Sequence, residues 1–312
     1  MGDAAAGKPL IRKAAAFLRR DAVFTVSFLL AAGSFAAAYA AASPADARTV
    51  LGFIDQRVLV CLFLLMAAVE GLRSEGVLEA AAARMVARAS TMRSLSFALV
   101  GLAYFSAMIV TNDVALLTFV PFTLLALRLA GRAEYAGPVV VLETVAANLG
   151  SALTPVGNPQ NLYLYSRFGM TPSSFFGAVL PLALPSAALL TAGVLLLGKT
   201  PVLPGLREPA VFRPRPRLLV FAAVFAIALI AVFDGIPPWA ALAAGLIPLL
   251  AFARAEVRKV DYALLLTFVF FFVFIGNITR IPAVSGTIRS LLTGPRTVFL
   301  AGAGLSQAIS NV

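Results

Sequence analysis

Long apolar runs separated by short polar segments dominate the sequence. A membrane-spanning helix needs about 20 mostly apolar residues, and several runs reach or approach that length. The runs lie at 22–42, 58–72, 94–110, 114–129, 137–165, 178–197, 218–233, 239–252, 263–278 and 297–309. This pattern predicts an all-α, polytopic membrane protein with about eight or nine crossings.

Two segments depart from simple crossings. Apolar and charged residues alternate over 73–93, which favours a helix that lies in the membrane interface. Only Thr111, Asn112 and Asp113 separate the runs 94–110 and 114–129. We therefore predict a re-entrant hairpin with these residues at its tip. Two short complete crossings give the same loop parity and stay open as the alternative.

The charge balance carries information about orientation. The chain has 25 Lys and Arg against 14 Asp and Glu, and 61% of its residues are apolar. If the basic N-terminus is cytoplasmic, most remaining basic residues fall in cytoplasmic loops, as the positive-inside rule requires. The net charge of +11 therefore reflects orientation in a bilayer, and we predict no nucleic-acid partner. We expect an integral protein of the bacterial plasma (inner) membrane.

Two parts of the sequence follow the same order. Asp55 and Asp261 each open an apolar run, a less apolar stretch with Arg follows, and each copy then reaches an apolar run that ends in polar residues. The charge rule places Asp55 outside and Asp261 inside. The copies are therefore predicted to be inverted repeats, each with a hairpin and a broken helix, as in secondary transporters.

The second copy reaches only the predicted tip of its hairpin, at Val312. The sequence therefore predicts an incomplete second repeat, that is, a C-terminally truncated transporter with little or no transport by residues 1–312 alone. A natural half-site protein that forms a homodimer is the open alternative. The predicted parts are a cytoplasmic segment (1–21), a first repeat with a leading helix (22–197), a basic cytoplasmic linker (198–217), and a connecting helix with the incomplete repeat (218–312).

The densest polar signal interrupts the run 137–165. Amides, prolines and glycines within 147–161 cannot continue a helix, and irregular backbone at membrane depth is tolerated only in protein or beside a cavity. Asn158 followed by Pro159 predicts an N-cap and the first position of a half-helix, whose N–H groups suit an anion. An extracellular loop between two short spans is the alternative. The predicted substrate-binding residues are Asn148, Gly150, Thr154, Pro155, Gly157, Asn158, Pro159, Asn161, Ser310 and Asn311.

The hairpin tip is the second polar signal. Asp113 is predicted to cap the returning helix, and the oxygens of Thr111 and Asn112 suit a hard cation. A plain N-cap in a cytoplasmic turn is the alternative. Ser310 and Asn311 would be the mirror partner of this tip.

Two further positions carry polar groups within apolar runs. Gly276 and Asn277 interrupt a span and are predicted to face the same cavity as coupling-ion residues, although packing by a small residue and a buried amide explains them almost as well. Glu143 precedes the break and is the candidate proton relay.

Several chemistries are disfavoured. Histidine is absent and Cys61 is the single cysteine, which removes His-based catalysis, Cys/His metal sites and internal disulfides. We predict no catalytic residues, no metal site and no cofactor beyond a coupling ion, H⁺ or Na⁺.

The tip and the break resemble motifs of a known family. Thr111-Asn112-Asp113, followed by an apolar run with Pro121, and the segment from Asn148 to Asn161 are similar to the ion transporter superfamily. That superfamily includes citrate and dicarboxylate symporters, arsenite permeases and one group of sodium/proton antiporters. The resemblance implies two inverted repeats, each with a re-entrant hairpin and a broken helix.

The resemblance also bears on the substrate. In the carboxylate symporters a Ser-Asn-Thr triplet at each tip binds sodium and substrate carboxylate, whereas Asp113 and Val312 depart from that pattern here. The Asn-Asp pair is closer to the arsenite permeases, for which proton coupling is expected, and the break motif is closer to the carboxylate transporters. We therefore expect a secondary active transporter of a small anion or oxyanion. Proton-linked arsenite or antimonite export and a passive anion channel stay open.

Overall fold

The structure is a computed structural model that describes residues 22–41, 43, 45–87, 89–202 and 216–308. Within these ranges every regular element is a helix, apart from one isolated β-bridge between Thr91 and Pro201. The α-helices are α1 (Ala22–Ala40), α2 (Ala47–Phe53), α3 (Gln56–Ser74), α4 (Val77–Val86), α5 (Met92–Val110), α6 (Asn112–Leu129), α7 (Ala136–Ser151), α8 (Pro159–Arg167), α9 (Pro172–Leu195), α10 (Arg217–Val232), α11 (Pro238–Phe252), α12 (Arg254–Val257), α13 (Tyr262–Thr279), α14 (Pro282–Leu291) and α15 (Pro295–Ala308).

The helices have the lengths and compositions of a polytopic membrane protein. In the described ranges, α1, α5, α6, α9 and α13 are each long and apolar enough to cross a bilayer. The bent pair α2 and α3, which meet at 53°, makes a sixth candidate if the pair forms one span. The predicted all-α membrane fold is confirmed.

Two local features refine the pattern of apolar runs. A short helix, α2, forms between the first two runs, because Asp46 caps it and the Asp46 carboxylate accepts the N–H of Thr49. This hydrogen bond lowers the pKa of Asp46. The helix predicted over 73–93 is confined to α4, because Gly76 takes a positive φ of 75° that separates it from α3.

The described residues divide into two compact units, one made of those up to 59 and from 261 onwards, and the other of those within 60–260. In the first unit, α1 packs along α13, where Phe24 and Phe28 both place their rings edge-on to Phe270 at 5.4 Å between ring centroids. In the second unit, α7 is central and packs against α5, α6 and α9. Gly150 on α7 makes this packing close, because a Cβ there would lie 2.0 Å from the Tyr104 carbonyl oxygen of α5.

Three chain segments meet at one end of the second unit. The N–H of Met92, at the start of α5, donates to the Thr200 carbonyl at 2.8 Å. The guanidinium of Arg132, just after α6, donates to the Pro201 carbonyl at 2.6 and 3.1 Å. Arg93 donates to the carbonyl of Leu195, the last residue of α9. The start of α5, the end of α6 and the end of α9 therefore share this end, which we call the linker end.

Helix lengths from the linker end show how deep the hairpin reaches. At 1.5 Å per residue, the 24 residues of α9 span about 36 Å, whereas the 19 and 18 residues of α5 and α6 span about 28 and 27 Å. The 16 residues of α7 span about 24 Å. The tip between α5 and α6 and the end of α7 thus lie at similar depth, short of the far end of α9. Because both arms are also long enough to cross a bilayer, the re-entrant hairpin stays a prediction and two complete crossings stay the alternative.

The two predicted repeats contain the same order of helices. Asp55 accepts the N–H of Val58 at 3.0 Å, and Asp261 accepts the N–H of Leu264 at 2.9 Å. The helices that follow, α3 and α13, have 19 and 18 residues, and each is followed by a helix of 10 residues. These matches support a repeat, and its inversion stays a prediction.

Candidate functional site

The predicted break divides α7 from α8. Residues 152–158 are not helical, and α8 begins at Pro159. Asn158 has extended backbone angles, and its Oδ1 accepts the Asn161 N–H at 2.7 Å. The predicted N-cap at Asn158, with proline at the first helical position, is therefore confirmed.

One amide side chain holds the break together. Nδ2 of Asn161 donates to the carbonyl oxygens of Ser151, Ala152 and Thr154 at 3.1, 3.0 and 2.9 Å. Nδ2 of Asn158 adds a contact of 3.3 Å to the Ser151 carbonyl. These carbonyls lie at or just beyond the end of α7, where no further helical N–H is available to them. The two asparagines thus replace the hydrogen bonds that the break removes.

The break is also tight sterically. A Cβ at Gly157 would lie 2.2 Å from the carbonyl oxygen of Ser151, so glycine is required where the chain folds back on the end of α7. Pro155, Val156 and Gly157 are buried. The predicted residues of the break are therefore packed in protein, as irregular backbone at membrane depth requires.

The hairpin tip lies against the break. Nδ2 of Asn112 donates to Oδ1 of Asn148 at 3.2 Å. The Thr154 hydroxyl donates to the carbonyl oxygen of Met108 at 2.5 Å, which satisfies an acceptor that the end of α5 leaves unpaired. The two densest polar signals of the sequence, far apart along the chain, thus form one cluster, which we call the tip–break cluster.

The prediction that Asp113 caps the returning helix is wrong. Thr111 is the N-cap of α6, with a φ of 71°, and no side chain makes a capping hydrogen bond there. Asp113 lies in the first turn with an exposed side chain. A carboxylate in that turn is stabilised by the helix dipole without acting as the cap.

Glu143 is fully buried on α7. Its side chain is 0% exposed, and the Thr123 hydroxyl of α6 donates to its Oε1 at 2.5 Å. Its Oε2 has no hydrogen-bond partner among the described residues. The sequence pointed to Glu143 but not to Thr123, because a pair 20 residues apart on two helices leaves no periodic signal.

Gly276 and Asn277 do not interrupt their span, since α13 continues through them to Thr279. A Cβ at Gly276 would lie 2.2 Å from the Phe53 ring, and Asn277 donates from Nδ2 to the Ser34 hydroxyl at 3.0 Å. The packing alternative accounts for this pair. Ser310 and Asn311, the predicted mirror tip, lie outside the described residues.

No group of three or more His, Cys, Asp or Glu side chains that could hold a metal ion occurs in the part of the chain that the structure describes. The cluster consists instead of amides, hydroxyls and one exposed carboxylate. Such groups bind small ions or polar solutes by hydrogen bonding and dipoles.

A hairpin whose tip meets a broken helix, within a polytopic helical chain, is typical of secondary transporters. The chain belongs to the citrate transporter family, whose sequence model matches residues 12–312. This membership confirms the resemblance to the ion transporter superfamily and identifies the chain as a membrane transporter of the citrate type.

Individual relatives agree with the family. The chain is 33% identical over 266 residues to inner membrane protein YbiR of Escherichia coli (strain K12), covering 83% of this chain and 69% of that protein. It is 27% identical over 271 residues to an uncharacterized transporter of Methanocaldococcus jannaschii, covering 84% and 71%. An uncharacterized transporter of Mycobacterium tuberculosis is 29% identical over 291 residues, covering 83% of this chain and 65% of the relative.

Proposed function

We propose that the protein is a secondary active transporter of a small carboxylate-like anion or oxyanion, coupled to H⁺ or Na⁺. The observation that carries the proposal is the contact of the hairpin tip with the break, through Asn112 and Asn148. Movement of the hairpin relative to the broken helix would change both the site and its access. The family supports a citrate-type substrate.

The substrate would bind at the start of α8. The N-terminal end of a helix carries partial positive charge, which favours an anion. Thr154, Asn158 and Pro159 border this end and are half-buried. Gly150 and Gly157 allow the close packing around it, and Ser310 and Asn311, outside the described residues, stay predicted substrate-binding residues.

We propose that the amide nitrogen of Asn161 does not contact the substrate. Its Nδ2 atom is occupied by three backbone carbonyls. Asn148 is similarly engaged, because it donates to the Thr144 carbonyl and accepts from Asn112. We propose that both shape the site, and that Oδ1 of Asn161 is the side-chain oxygen left to contact a cation.

The coupling cation would bind at the hairpin tip. Thr111, Asn112 and Asp113 supply hydroxyl, amide and carboxylate oxygens there, and the Asp113 carboxylate is exposed. Oxygen ligands of this kind suit Na⁺ or a proton. Gly276 and Asn277 are left out of this proposal, because their contacts are explained by packing.

A second candidate is proton-linked export of arsenite or antimonite, which the Asn112–Asp113 pair favours by its resemblance to the arsenite permeases. A passive anion channel is the candidate from another class. For location, we propose the inner membrane with a cytoplasmic N-terminus. The positive-inside pattern supports this orientation, and a relative from Escherichia coli is named an inner membrane protein.

The proposal is tested with the full-length protein reconstituted in proteoliposomes. Uptake of labelled citrate, other carboxylates and arsenite is measured after an imposed proton or sodium gradient. We expect a carboxylate to accumulate with one of the two gradients. If no anion accumulates under either gradient, the proposal is overturned.

Asp113→Asn tests the coupling residue, with Glu79→Gln as the matched control because Glu79 is an exposed carboxylate on α4. We expect Asp113→Asn to reduce cation-driven accumulation at least tenfold, and Glu79→Gln to leave it unchanged. Unchanged coupling in Asp113→Asn would remove Asp113 from the site.

A further inference from the structure

A buried carboxyl group joins the two elements that form the tip–break cluster. Glu143 is the only charged residue of α7, and its side chain is 0% exposed. Its Oε1 accepts the Thr123 hydroxyl of α6 at 2.5 Å. Because the donor is on the hairpin arm and the acceptor on the broken helix, this hydrogen bond depends on how the two helices pack.

The second carboxyl oxygen of Glu143 is unpartnered. Oε2 is buried and has no hydrogen-bond partner within the described ranges. An ionised carboxylate can accept about four hydrogen bonds, and at this buried position Glu143 receives, among the described residues, only the one from Thr123. A buried polar atom without a partner is costly, and a buried charge without a partner is more so.

Neighbouring charges do not compensate the carboxylate. The helices packed against α7 carry these ionisable side chains: Arg93 and Tyr104 on α5, Asp113 and Arg128 on α6, and none on α9. The short 3₁₀ turn before α7 carries Glu134 and Tyr135. None of them forms an ion pair or hydrogen bond with Glu143 in the part of the chain that the structure describes.

The two basic residues of this set are at the linker end. Arg93 donates to the Leu195 carbonyl at the end of α9, and Arg128 lies in the last turn of α6. Asp113 is at the opposite end of α6, at the hairpin tip. The surroundings of Glu143 therefore suit a neutral carboxylic acid better than a carboxylate.

The position of Glu143 connects it to the tip. It lies eight residues before the end of α7, about 12 Å along the helix. The same helix carries Asn148, which accepts the hydrogen bond from Asn112 at the tip. A shift of α6 along α7 would therefore break the Thr123 contact and the tip contact together.

We propose that Glu143 is an internal proton-binding site, with Thr123 as its positioning residue, and that the packing of the hairpin arm on the broken helix controls its protonation. In this conformation the carboxyl group holds a proton. When α6 moves and water reaches the site, the carboxylic acid gives its proton to water, which leaves a carboxylate and a hydronium ion. The use of this proton in transport rests on the proposed function, whereas the binding of the proton does not.

The site is tested first without any substrate. Infrared difference spectra of the full-length protein in lipid, recorded as the pH is changed, report the C=O stretch of protonated carboxyl groups. We expect a band that disappears in Glu143→Gln and shifts in Thr123→Val, but keeps its position in Thr123→Ser, which retains the hydroxyl. Glu143→Gln preserves the shape of a neutral carboxyl group and is expected to unfold at the wild-type temperature.

An unchanged set of carboxyl bands in Glu143→Gln would overturn the proposal. A purely structural hydrogen bond would also be preserved by glutamine, so the lost band, and not stability, separates the two explanations. If no anion is transported by the wild-type protein but the band is lost in Glu143→Gln, the transport function fails and the proton site stands.

Transport gives the second test. We expect Glu143→Gln to retain exchange of labelled for unlabelled substrate. The accumulation that a proton gradient drives should fall at least tenfold in this variant. The reason is that exchange needs movement of the loaded site alone, whereas accumulation needs release of the proton. Wild-type proton-driven accumulation in Glu143→Gln would contradict the proposal.

Discussion

Replacing Asn161 by alanine should destabilise the break between α7 and α8. The Asn161 amide donates to three carbonyls at 2.9 to 3.1 Å, although its two hydrogens must be shared among them. After the change, the Ser151 carbonyl keeps a contact of 3.3 Å from Asn158, and the Thr154 carbonyl keeps the Gly157 N–H at 3.3 Å. The Ala152 carbonyl loses its side-chain donor.

These losses give the expected magnitude. An unsatisfied buried acceptor costs about 1–3 kcal/mol, and a weakened hydrogen bond about 0.5–1 kcal/mol. One lost and two weakened acceptors together give about 2–5 kcal/mol for Asn161→Ala. Asn161→Asp should cost more, because it replaces both donors by a carboxylate that faces carbonyl oxygens.

The assay is thermal unfolding of the purified protein in detergent, together with substrate uptake. Leu164→Ala is the matched control, because Leu164 lies on the same helix and is 44% exposed. We expect Asn161→Asp to have the lowest unfolding temperature and Asn161→Ala the next lowest. Leu164→Ala should unfold close to the wild-type temperature. Wild-type unfolding and uptake in Asn161→Ala would refute the assignment. Retained uptake in Asn161→Asp would instead indicate a cation ligand.

Two further predictions concern close packing at glycine. Gly150→Ala places a Cβ 2.0 Å from a carbonyl oxygen of α5, so we expect it to lower the free energy of unfolding by about 1–3 kcal/mol, measured by heat or denaturant. The control Gly137→Ala, on the same helix, has open space around the new Cβ and should be neutral or slightly stabilising. Equal stability of the two variants would contradict the α5–α7 packing. Gly276→Ala places its Cβ 2.2 Å from the Phe53 ring, so it should lower the unfolding temperature without changing ion coupling, with Gly52→Ala as the control in open space. Normal stability with altered coupling would restore Gly276 to the ion site.

The sequence was most informative where local chemistry decides the backbone. Asn158 and Pro159 set the start of α8, because an amide cap and a proline at the first helical position act within one turn. The apolar runs gave the helices within a few residues for the same reason. The amides, prolines and glycines of 147–161 located the break, although the structure narrows it to 152–158, because α7 continues to Ser151 and α8 begins at Pro159.

Predictions that needed contacts between distant residues failed or were missing. Nothing in the spacing of Thr123 and Glu143 indicates that they meet, because the turn between α6 and α7 decides it. Gly276 suggested an interruption, but a single glycine costs a helix only about 1 kcal/mol, and packing on Phe53 offsets it. Asp113 resembled a cap, yet the positive φ of Thr111 moved the cap two residues earlier.

The central claim is that the protein couples the movement of an anion to a change in its own conformation. Counterflow tests it most directly. Proteoliposomes with the full-length protein are preloaded with unlabelled citrate or a related carboxylate, diluted into labelled anion, and the internal label is followed with time. We predict a transient accumulation of label above its equilibrium level. An exchanger carries unlabelled anion out and labelled anion in on each cycle, so label enters faster than it leaves until the unlabelled pool is diluted. Simple equilibration with no overshoot for any carboxylate would contradict transport by alternating access and favour a channel.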